Sequence, residues 1–251
     1  MSLKICTDEL LLDLVPASRI ASVTFLSREA AGLKFWPQAA HIPINHGSAE
    51  QILAMRPDLI LTDPFMAPGL RPLLAKTGAK IVEVPPAETF EQIRAVTRLV
   101  ARAVGEEARG EALIAEMDAD LRALAARRPK KMLTVAGWGT GGYVPGTGGL
   151  FDAMLTAAGA RNFERGGFGF YDVESLVAAG PDALVYGDTY SGTTSLRTDQ
   201  DLHPALLTRY AGRRVTYSSL YGCGIPRSAA IARRLQDALL KVKPAPEGRT
   251  P

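Results

Sequence analysis

The sequence is poor in the features that mark several large classes of protein. It has two cysteines and three histidines in 251 residues, fewer than proteins that hold metal clusters usually carry. Its 29 basic and 26 acidic residues are interspersed and leave a net charge of only +3, unlike the basic surface of a nucleic-acid-binding protein. No apolar run approaches the roughly 18 residues that cross a bilayer. We therefore expect neither nucleic-acid binding nor a membrane span.

Signatures of catalysis and of cofactor binding are also missing or incomplete. No Gly-x-Ser-x-Gly nucleophile elbow occurs, and no Cys–His pair is indicated. Residues 137–142 fit the letters of the Rossmann fingerprint, but residues 143–146 (Tyr-Val-Pro-Gly) follow where a helix should begin. The strand that would carry the ribose-binding acid is missing too. We predict no enzymatic activity and no cofactor.

The few histidines do not form a recognisable metal site. They are His41, His46 and His203. Their spacing matches no usual zinc-ligand motif. His46, which lies beside Gly47 and just before a helix cap, is interpreted as a local hydrogen-bonding residue. We predict no bound metal ion.

What the sequence does contain is an internal repeat. Residues 48–61 align with residues 172–185, 124 positions later, with Glu50 over Glu174 and a Pro-Asp pair in each copy. Each copy is typical of a cap residue, a short helix, a break and a buried strand. One copy in each half indicates two similar lobes, because a solenoid needs a short period and at least about three copies. Two matching lobes leave a cleft between them.

Short β-rich runs alternate with helical patterns in both halves of the chain. In the first half we predict strands at residues 20–25, 59–62 and 80–84, and helices at residues 8–15, 49–55 and 69–76. In the second half we predict strands at residues 132–136, 183–186 and 214–217, and helices at residues 150–158, 174–179 and 228–241. This alternation is typical of α/β proteins with parallel sheets. The predicted fold is two Rossmann-like lobes.

The most helical stretch of the chain, residues 89–128, lies between the halves. Apolar residues recur at helical spacing on both sides of Gly105. A single helix over residues 106–127 would be roughly 33 Å long at about 1.5 Å per residue. The predicted organisation is an N-terminal lobe over residues 1–105, a connecting helix over 106–128, a C-terminal lobe over 129–243 and a disordered tail over 244–251.

The two cysteines leave two alternatives open. Cys6 and Cys223 both lie in loop-like settings near the ends of the chain. They are either two unpaired, partly buried thiols or a single disulfide, which requires Cα atoms within about 7 Å of each other.

The combined pattern resembles a known family. Two α/β lobes, one helical connector and a Glu-x-x-x-x-x-x-Pro-Asp segment in each lobe resemble the substrate-binding proteins of ABC importers for cobalamin and ferric siderophores. These are the helix-linked, class III periplasmic binding proteins. Residues 148–155 and the Ala-Gly-Ala-Arg-Asn turn at residues 158–162 resemble the second lobe of that family. The match covers nearly the whole chain.

The resemblance implies a function, partners and a location. The implied ligand is a metal chelate, either a corrinoid or a ferric siderophore, bound in the cleft between the lobes. The implied partner is a permease dimer with its ATPase, served by a monomeric binding protein. The implied location is the periplasm, with the native signal peptide removed from this sequence. A lipid-anchored form and a soluble form stay open alternatives.

The resemblance also assigns a docking role to the two repeated glutamates. In this family a glutamate from each lobe pairs with arginines of the permease, and the matching positions are Glu50 and Glu174. Helices of an α/β lobe begin at the edge where strands end, so both side chains are expected near the rim of the cleft. A purely structural role is the alternative, because the helix dipole stabilises a first-turn carboxylate by about 0.3–1 kcal/mol whatever its partner.

Candidate ligand contacts lie beyond the predicted carboxyl ends of the strands, where ligands of open α/β sheets bind. Aromatic residues recur there and suit stacking on a large, flat ligand. Two arginines near the same loops suit bidentate pairing with carboxylate, phosphate or catecholate oxygens. The predicted ligand-binding residues are Thr7, Arg28, Phe65, Met66, Trp138, Tyr143, Tyr190, Tyr221 and Arg227.

Three other functions stay open on the sequence alone. One is a haem-binding or free metal-ion-binding protein of the same fold. Another is a metallocofactor scaffold or enzyme built on the same two-lobed architecture, although such proteins hold their clusters with several cysteines. The third is a cytosolic regulatory binding module, which would need no export signal.

Overall fold

A computed structural model describes residues 1–65, 69–187, 199–217 and 222–243. The chain divides into two compact units, of which the first comprises Met1–Glu116 together with Gly222–Pro226 and the second comprises the remainder. Both units contain helices and parallel strands, so the predicted two-lobed α/β fold is confirmed. None of the helices within these ranges combines the length and the apolar character that a membrane span requires. The predicted tail over residues 244–251 lies outside the described residues.

The first unit is built on a small set of short parallel strands. Its elements are α1 (Ile5–Leu14), β1 (Val23–Thr24), α2 (Ala30–Phe35), β2 (Ile44–Asn45), α3 (Ala49–Met55), β3 (Leu59–Thr62), α4 (Leu70–Ala75), β4 (Lys80–Glu83), α5 (Phe90–Val104) and the start of α6 (Glu107–Ala126). Strand β1 pairs with β2, and β3 pairs with β4. Residues 1–3 lie between the two pairs, since the Ser2 N–H donates to the Ser22 carbonyl and the Leu3 N–H to the Leu61 carbonyl, each over 3.0 Å.

The beginning of the chain differs from its prediction. Helix α1 begins at Ile5, three residues before its predicted start, so Cys6 and Thr7 are helical. Strand β1 is only two residues long, whereas the sequence predicted a strand over residues 20–25. The physical reason lies at Thr24, whose backbone N–H donates to the Asp8 carboxylate over 2.9 Å instead of to a neighbouring strand.

The second unit holds a four-stranded parallel sheet. Its elements are β5 (Thr134–Trp138), β6 (Tyr143–Pro145), α7 (Leu150–Ala157), β7 (Arg161–Asn162), β8 (Phe168–Phe170), α8 (Val173–Ala179), β9 (Ala183–Gly187), α9 (Pro204–Arg209), β10 (Arg214–Tyr217) and α10 (Ser228–Leu239). The sheet order is β10-β9-β5-β7, and β6 and β8 form a separate antiparallel pair. Val135 packs with Leu155 on one face of the sheet, and Ala136 packs with Leu176 on the other. Both faces are therefore covered, as in doubly wound sheets.

Helix α6 is shared between the two units, because the division falls between Glu116 and Met117. Its first half packs closely on α5 at Gly110, where an added Cβ would lie 2.5 Å from the Ala101 Cβ. Its second half is bound to α10, where the Gln236 side chain donates to the Leu124 carbonyl over 3.1 Å. This division falls inside residues 106–128, the stretch that the sequence predicted as the connecting helix.

The repeated segment folds as predicted in both copies. Helices α3 and α8 begin after capping side chains, since Ser48 and Asp172 each accept the backbone N–H of the residue three positions later. Both helices end at a residue in the left-handed conformation, Arg56 with φ 44° and Gly180 with φ 65°. Strands β3 and β9 follow at the same offset of 124 positions. The two copies are therefore equivalent in backbone as well as in sequence.

Candidate functional site

Exposed rings follow the carboxyl ends of three strands in the first unit. Phe25 follows β1 and is 44% exposed, His46 follows β2 and is exposed, and Phe65 comes shortly after β3 and is 76% exposed. The Phe25 and His46 rings are stacked, with centroids 4.9 Å apart and an interplanar angle of 24°. Lys4, at the start of α1, forms an ion pair of 2.9 Å with Asp63, directly after β3. The start of α1 therefore lies at the carboxyl end of β3.

Asp8 connects the same helix to the segment that follows β1. Its Oδ2 accepts from the Thr24 N–H over 2.9 Å, the Thr24 hydroxyl over 2.5 Å and the Ser27 hydroxyl over 2.8 Å. The side chain is fully buried. Burial raises the pKa of this carboxyl above its ordinary value, although the hydrogen bonds from Thr24 and Ser27 oppose the rise. Asp8 thus fixes the turn that presents Phe25.

We expect Asp8 to make stability depend on pH. A carboxyl whose pKa is higher in the folded state than in the unfolded state favours folding most below the unfolded pKa, and this contribution declines as pH rises towards the folded pKa. Asp8→Asn keeps an oxygen acceptor and removes the titration. Urea unfolding should therefore show the variant gaining stability relative to the wild type as pH rises above about 4.

The matched comparison for Asp8 is Asp172, the exposed cap of α8. Hydrogen bonds from Ser175 lower the pKa of Asp172. The wild type should therefore lose the stability that this carboxyl contributes as pH falls through its lowered pKa. Relative to the wild type, Asp172→Asn should thus gain stability as pH falls, whereas Asp8→Asn gains it as pH rises. A pH-independent difference between Asp8→Asn and the wild type would contradict the assignment.

The two polar ligand-binding candidates of the first unit, Thr7 and Arg28, form hydrogen bonds within the protein. Thr7 is 2% exposed, and its hydroxyl donates to the Lys4 carbonyl over 2.9 Å and lies 2.6 Å from the Ser2 hydroxyl. Thr7 therefore presents no surface to a ligand in this structure, because α1 begins two residues before it. Arg28 is exposed, but its guanidinium donates to the Ile42 carbonyl over 2.6 Å.

A disulfide joins Cys6 to Cys223, whose Cα atoms are 5.1 Å apart. Of the two alternatives that the sequence left open, the structure contains the disulfide. The bond fastens residues 222–226, which come late in the chain, to α1 of the first unit.

In the second unit, exposed aromatic rings gather on the β6–β8 pair. Tyr143 lies opposite Phe170 and Pro145 opposite Phe168. Because side chains alternate along a strand, these residues share one face, whereas Val144 is fully buried on the other. Tyr143, Phe168 and Phe170 are 39%, 62% and 69% exposed, with ring centroids 5.8–6.0 Å apart. We call these three residues the aromatic face.

The backbone beneath the aromatic face is tightly held. Gly142 has φ 78°, and an added Cβ there would lie 2.0 Å from the Tyr171 carbonyl. Glu164 accepts from the Tyr171 hydroxyl over 2.7 Å and from the Gly166 N–H over 2.6 Å. The hydrogen bond from Tyr171 is the main cause that lowers the pKa of Glu164. An ionised Glu164 therefore connects the loop before β8 to Tyr171, the residue directly after β8.

Trp138 is buried, whereas the sequence predicted it among the ligand-binding residues. It is 3% exposed and belongs to a core cluster with Leu176 and Tyr210. The reason is that β5 runs to residue 138, two residues beyond the predicted end of this strand, so Trp138 is a sheet residue rather than a loop residue. The predicted place of Trp138 at the ligand surface is thus corrected.

The remaining candidates have mixed outcomes. Tyr143 is exposed on the aromatic face, and Arg227 is exposed directly before α10. Met66, Tyr190 and Tyr221 lie outside the described residues. Sequence reasoning missed Phe168 and Phe170, although the alternation Phe-Gly-Phe is the signal of a strand with both rings on one face. It also missed Phe25, which was predicted to lie inside a strand.

The two repeated glutamates occupy equivalent positions. Glu50 and Glu174 are each the second residue of a short helix, α3 and α8, and both are exposed. The capping residues Ser48 and Asp172 lie two positions before Glu50 and Glu174.

The histidines do not gather into a metal centre. The Nδ1 of His203 accepts the Ala205 N–H over 3.3 Å at the start of α9, and His41 is exposed. Within residues 1–65, 69–187, 199–217 and 222–243, no group of three or more His, Cys, Asp and Glu side chains is arranged to hold a metal ion.

A cavity of about 190 Å³ lies elsewhere in the second unit. Its lining includes Lys131 and Leu133, just before β5, and Leu239 of α10. It therefore lies at the amino end of β5, whereas ligands of open α/β sheets bind beyond the carboxyl ends.

Comparison with known proteins gives a consistent assignment. The sequence profile of a family described as periplasmic binding protein matches residues 42–202. A search of curated proteins gave no match.

Three solved structures illustrate the similarity in fold. The periplasmic haem-binding protein HutB of Vibrio cholerae is 20% identical, with a TM-score of 0.79 over 95% of this chain and 97% of the other. The haem-binding protein RhuT from Roseiflexus sp. RS-1 is 22% identical, with a TM-score of 0.77 over 95% and 96%. A periplasmic haem-binding protein from Pseudomonas aeruginosa is 23% identical, with a TM-score of 0.75 over 98% and 94%.

Proposed function

We propose, from the premise that this chain belongs to the periplasmic binding protein family, that it captures a metal chelate with a flat macrocycle and delivers it to the permease of an ABC importer. Ferric haem is the first candidate ligand. The observation that carries the proposal is the aromatic face of Tyr143, Phe168 and Phe170, exposed beyond the carboxyl end of β5.

The aromatic face suits a flat, apolar ligand in size and chemistry. Large aromatic side chains grouped on a surface are typical of binding sites, because leaving them in water forgoes the free energy of their burial. Each ring that stacks on a macrocycle contributes about 0.5–1.5 kcal/mol beyond the area that it buries. The similar structures named as haem-binding proteins support haem over the corrinoids and ferric siderophores that the sequence pointed to first.

The proposed role requires binding and release but no chemistry by the protein. The family implies a periplasmic location, and the Cys6–Cys223 disulfide suits the oxidising periplasm of bacteria. We propose that Glu50 and Glu174 pair with basic residues of the permease dimer, and that an ATPase completes the importer. The binding protein itself is proposed to act as a monomer.

The test is a titration of the purified protein with ferric haem, hydroxocobalamin and a panel of ferric siderophores. Calorimetry and ligand absorbance are the appropriate measurements, because Trp36 and Trp138 are both buried and do not report directly on surface contacts. We expect haem to bind, and Phe168→Ala combined with Phe170→Ala to weaken its binding by about 5- to 150-fold, since each lost ring removes about 0.5–1.5 kcal/mol.

Leu202→Ala is the matched control for this titration. Leu202 is 66% exposed in the same unit and lies outside the aromatic face. Its replacement should leave the affinity for haem unchanged. Tighter binding of cobalamin or of a siderophore than of haem would change the proposed ligand but not the proposed transport role. Binding of none of these chelates would refute the proposed function.

A further inference from the structure

The cavity at the amino end of β5 is large enough for a small organic molecule. Its volume is about 190 Å³, and apolar side chains such as Leu133, Ala158, Ala160 and Leu239 contribute to its walls. All four residues belong to the second unit. An apolar cavity of about 150 Å³ holds one benzene ring. This cavity therefore accommodates one ring or a chain of about six carbons.

Backbone hydrogen bonds hold two walls of the cavity together. The Arg161 N–H donates to the Leu133 carbonyl over 2.8 Å, which joins the segment before β5 to the start of β7. The Ala160 N–H donates to the Leu155 carbonyl over 3.1 Å, which fixes the turn after α7. The cavity is therefore formed by the folded chain itself and needs no ligand to open it.

A buried polar atom without a partner belongs to the same lining. Gln236 is 1% exposed, and its side-chain Nε2 donates to the Leu124 carbonyl over 3.1 Å. Within the described residues its Oε1 accepts no hydrogen bond. A void and an unpaired buried acceptor each lower stability, and native proteins contain few of either. Their occurrence at one place favours a binding site over a simple packing defect.

The charge around the cavity is positive. Lys131 is exposed, and it is the only charged residue among the lining residues that the structure describes. Residues 127–131 (Arg-Arg-Pro-Lys-Lys) and 240–243 (Leu-Lys-Val-Lys), which both contribute to the lining, contain six basic residues and no acidic one. Of these six, Arg127 is paired with Asp237 over 2.7 Å. The remaining cations favour an anionic group at the cavity.

We propose that this cavity binds a small carboxylate whose apolar part is one ring or a chain of about six carbons. The apolar part fills the volume beside Leu133 and Leu239, and the carboxylate pairs with the Lys131 ammonium. Burial of the apolar part supplies most of the affinity, because a pair with an exposed lysine contributes little.

This site is separate from the aromatic face. The cavity lies at the amino end of β5, and the aromatic face lies beyond its carboxyl end. The five residues of β5 span about 16 Å at about 3.3 Å per residue. A ligand of one ring does not reach from one site to the other. The proposed carboxylate site therefore does not depend on the proposed function.

The test is a calorimetric titration of the full-length chain with phenylacetate, phenethyl alcohol and phenethylamine at neutral pH. These probes share one ring and differ in charge. We expect phenylacetate to bind most tightly, the alcohol about 1.5- to 5-fold more weakly and the amine more weakly still, because an exposed charge pair contributes about that factor. About 0.5 M sodium chloride should reduce these differences, since salt screens exposed charges.

Three variants separate charge from volume. Lys131→Met should weaken phenylacetate binding by about 1.5- to 5-fold and leave phenethyl alcohol binding unchanged. Lys241→Met is the matched control, because Lys241 is exposed nearby in the chain but does not belong to the described lining, and it should bind both probes as the wild type does. Ala158→Leu should weaken both by about 10-fold or more, because its added carbons displace at least two CH₂ groups of the probe. Circular dichroism of each variant checks the fold.

The outcomes distinguish this site from the aromatic face. If none of the three probes binds to the full-length chain, or if phenylacetate and phenethylamine bind equally well, the proposal is wrong. Loss of phenylacetate binding in Phe168→Ala combined with Phe170→Ala would assign the probe to the aromatic face and would also overturn it. Failure of haem to bind would refute the proposed function and leave the carboxylate site unaffected.

Discussion

Charge reversal at both repeated glutamates, Glu50→Arg with Glu174→Arg, is expected to abolish transport while ligand affinity stays unchanged. Each carboxylate is exposed in the first turn of its helix, and we propose that it pairs with a basic residue of the permease. Losing one partner of such an interfacial pair costs about 2–5 kcal/mol, and reversal adds repulsion. Uptake should therefore fall by at least about 100-fold.

The measurement is ligand uptake by cells or vesicles that contain the permease and its ATPase, beside calorimetric titration of the purified variant. Glu107→Arg is the matched control, because Glu107 is also an exposed first-turn carboxylate, in α6, and lies outside the repeat. Its reversal costs the same loss of favourable charge at a helix start and should leave uptake unchanged. Normal uptake by the double variant would contradict the docking proposal. A loss of ligand affinity would instead indicate that the two glutamates have a structural role.

Removal of the disulfide, by Cys6→Ser with Cys223→Ser, is expected to lower the free energy of unfolding by about 2–5 kcal/mol. The bonded residues are 217 positions apart, so the bond restricts the unfolded chain strongly. Chain-entropy arguments give about 5 kcal/mol for a loop of this length, and native disulfides commonly contribute less than such arguments give. The effect should be largest on the first unit, which both cysteines belong to.

Urea unfolding of the oxidised protein, the reduced protein and the double variant measures this contribution. The chain has no other cysteine, so a thiol titration of the denatured protein reports on this bond alone. We expect no free thiol before reduction and two afterwards. Equal unfolding free energies for all three forms would contradict the prediction.

The parts of the fold that the sequence predicted correctly are those in which local signals agree with tertiary packing. Helices α3 and α8 begin and end close to their predicted bounds, because capping side chains start them and a Pro-Asp pair follows them. Their inward residues, Ile52 and Leu176, are fully buried at the same repeat position. Cap, helix and buried residue all specify one structure here, which is what makes a segment predictable.

The site was harder to predict because it depends on where short strands end. A two-residue shift in β5 moved Trp138 from the expected ligand surface into the core. Strand β2 has only two residues and is too short to show a period, so His46 gave no strand-end signal in advance. The Asp8 contacts that end β1 join residues 16 and 19 positions apart, and no local pattern encodes them.

The bond between Cys6 and Cys223 also makes most of this molecule a covalent ring. Every residue from 6 to 223 belongs to that ring, which includes all of α6 and the whole four-stranded sheet of the second unit. A single break of the backbone anywhere within the ring leaves the two pieces joined through sulfur.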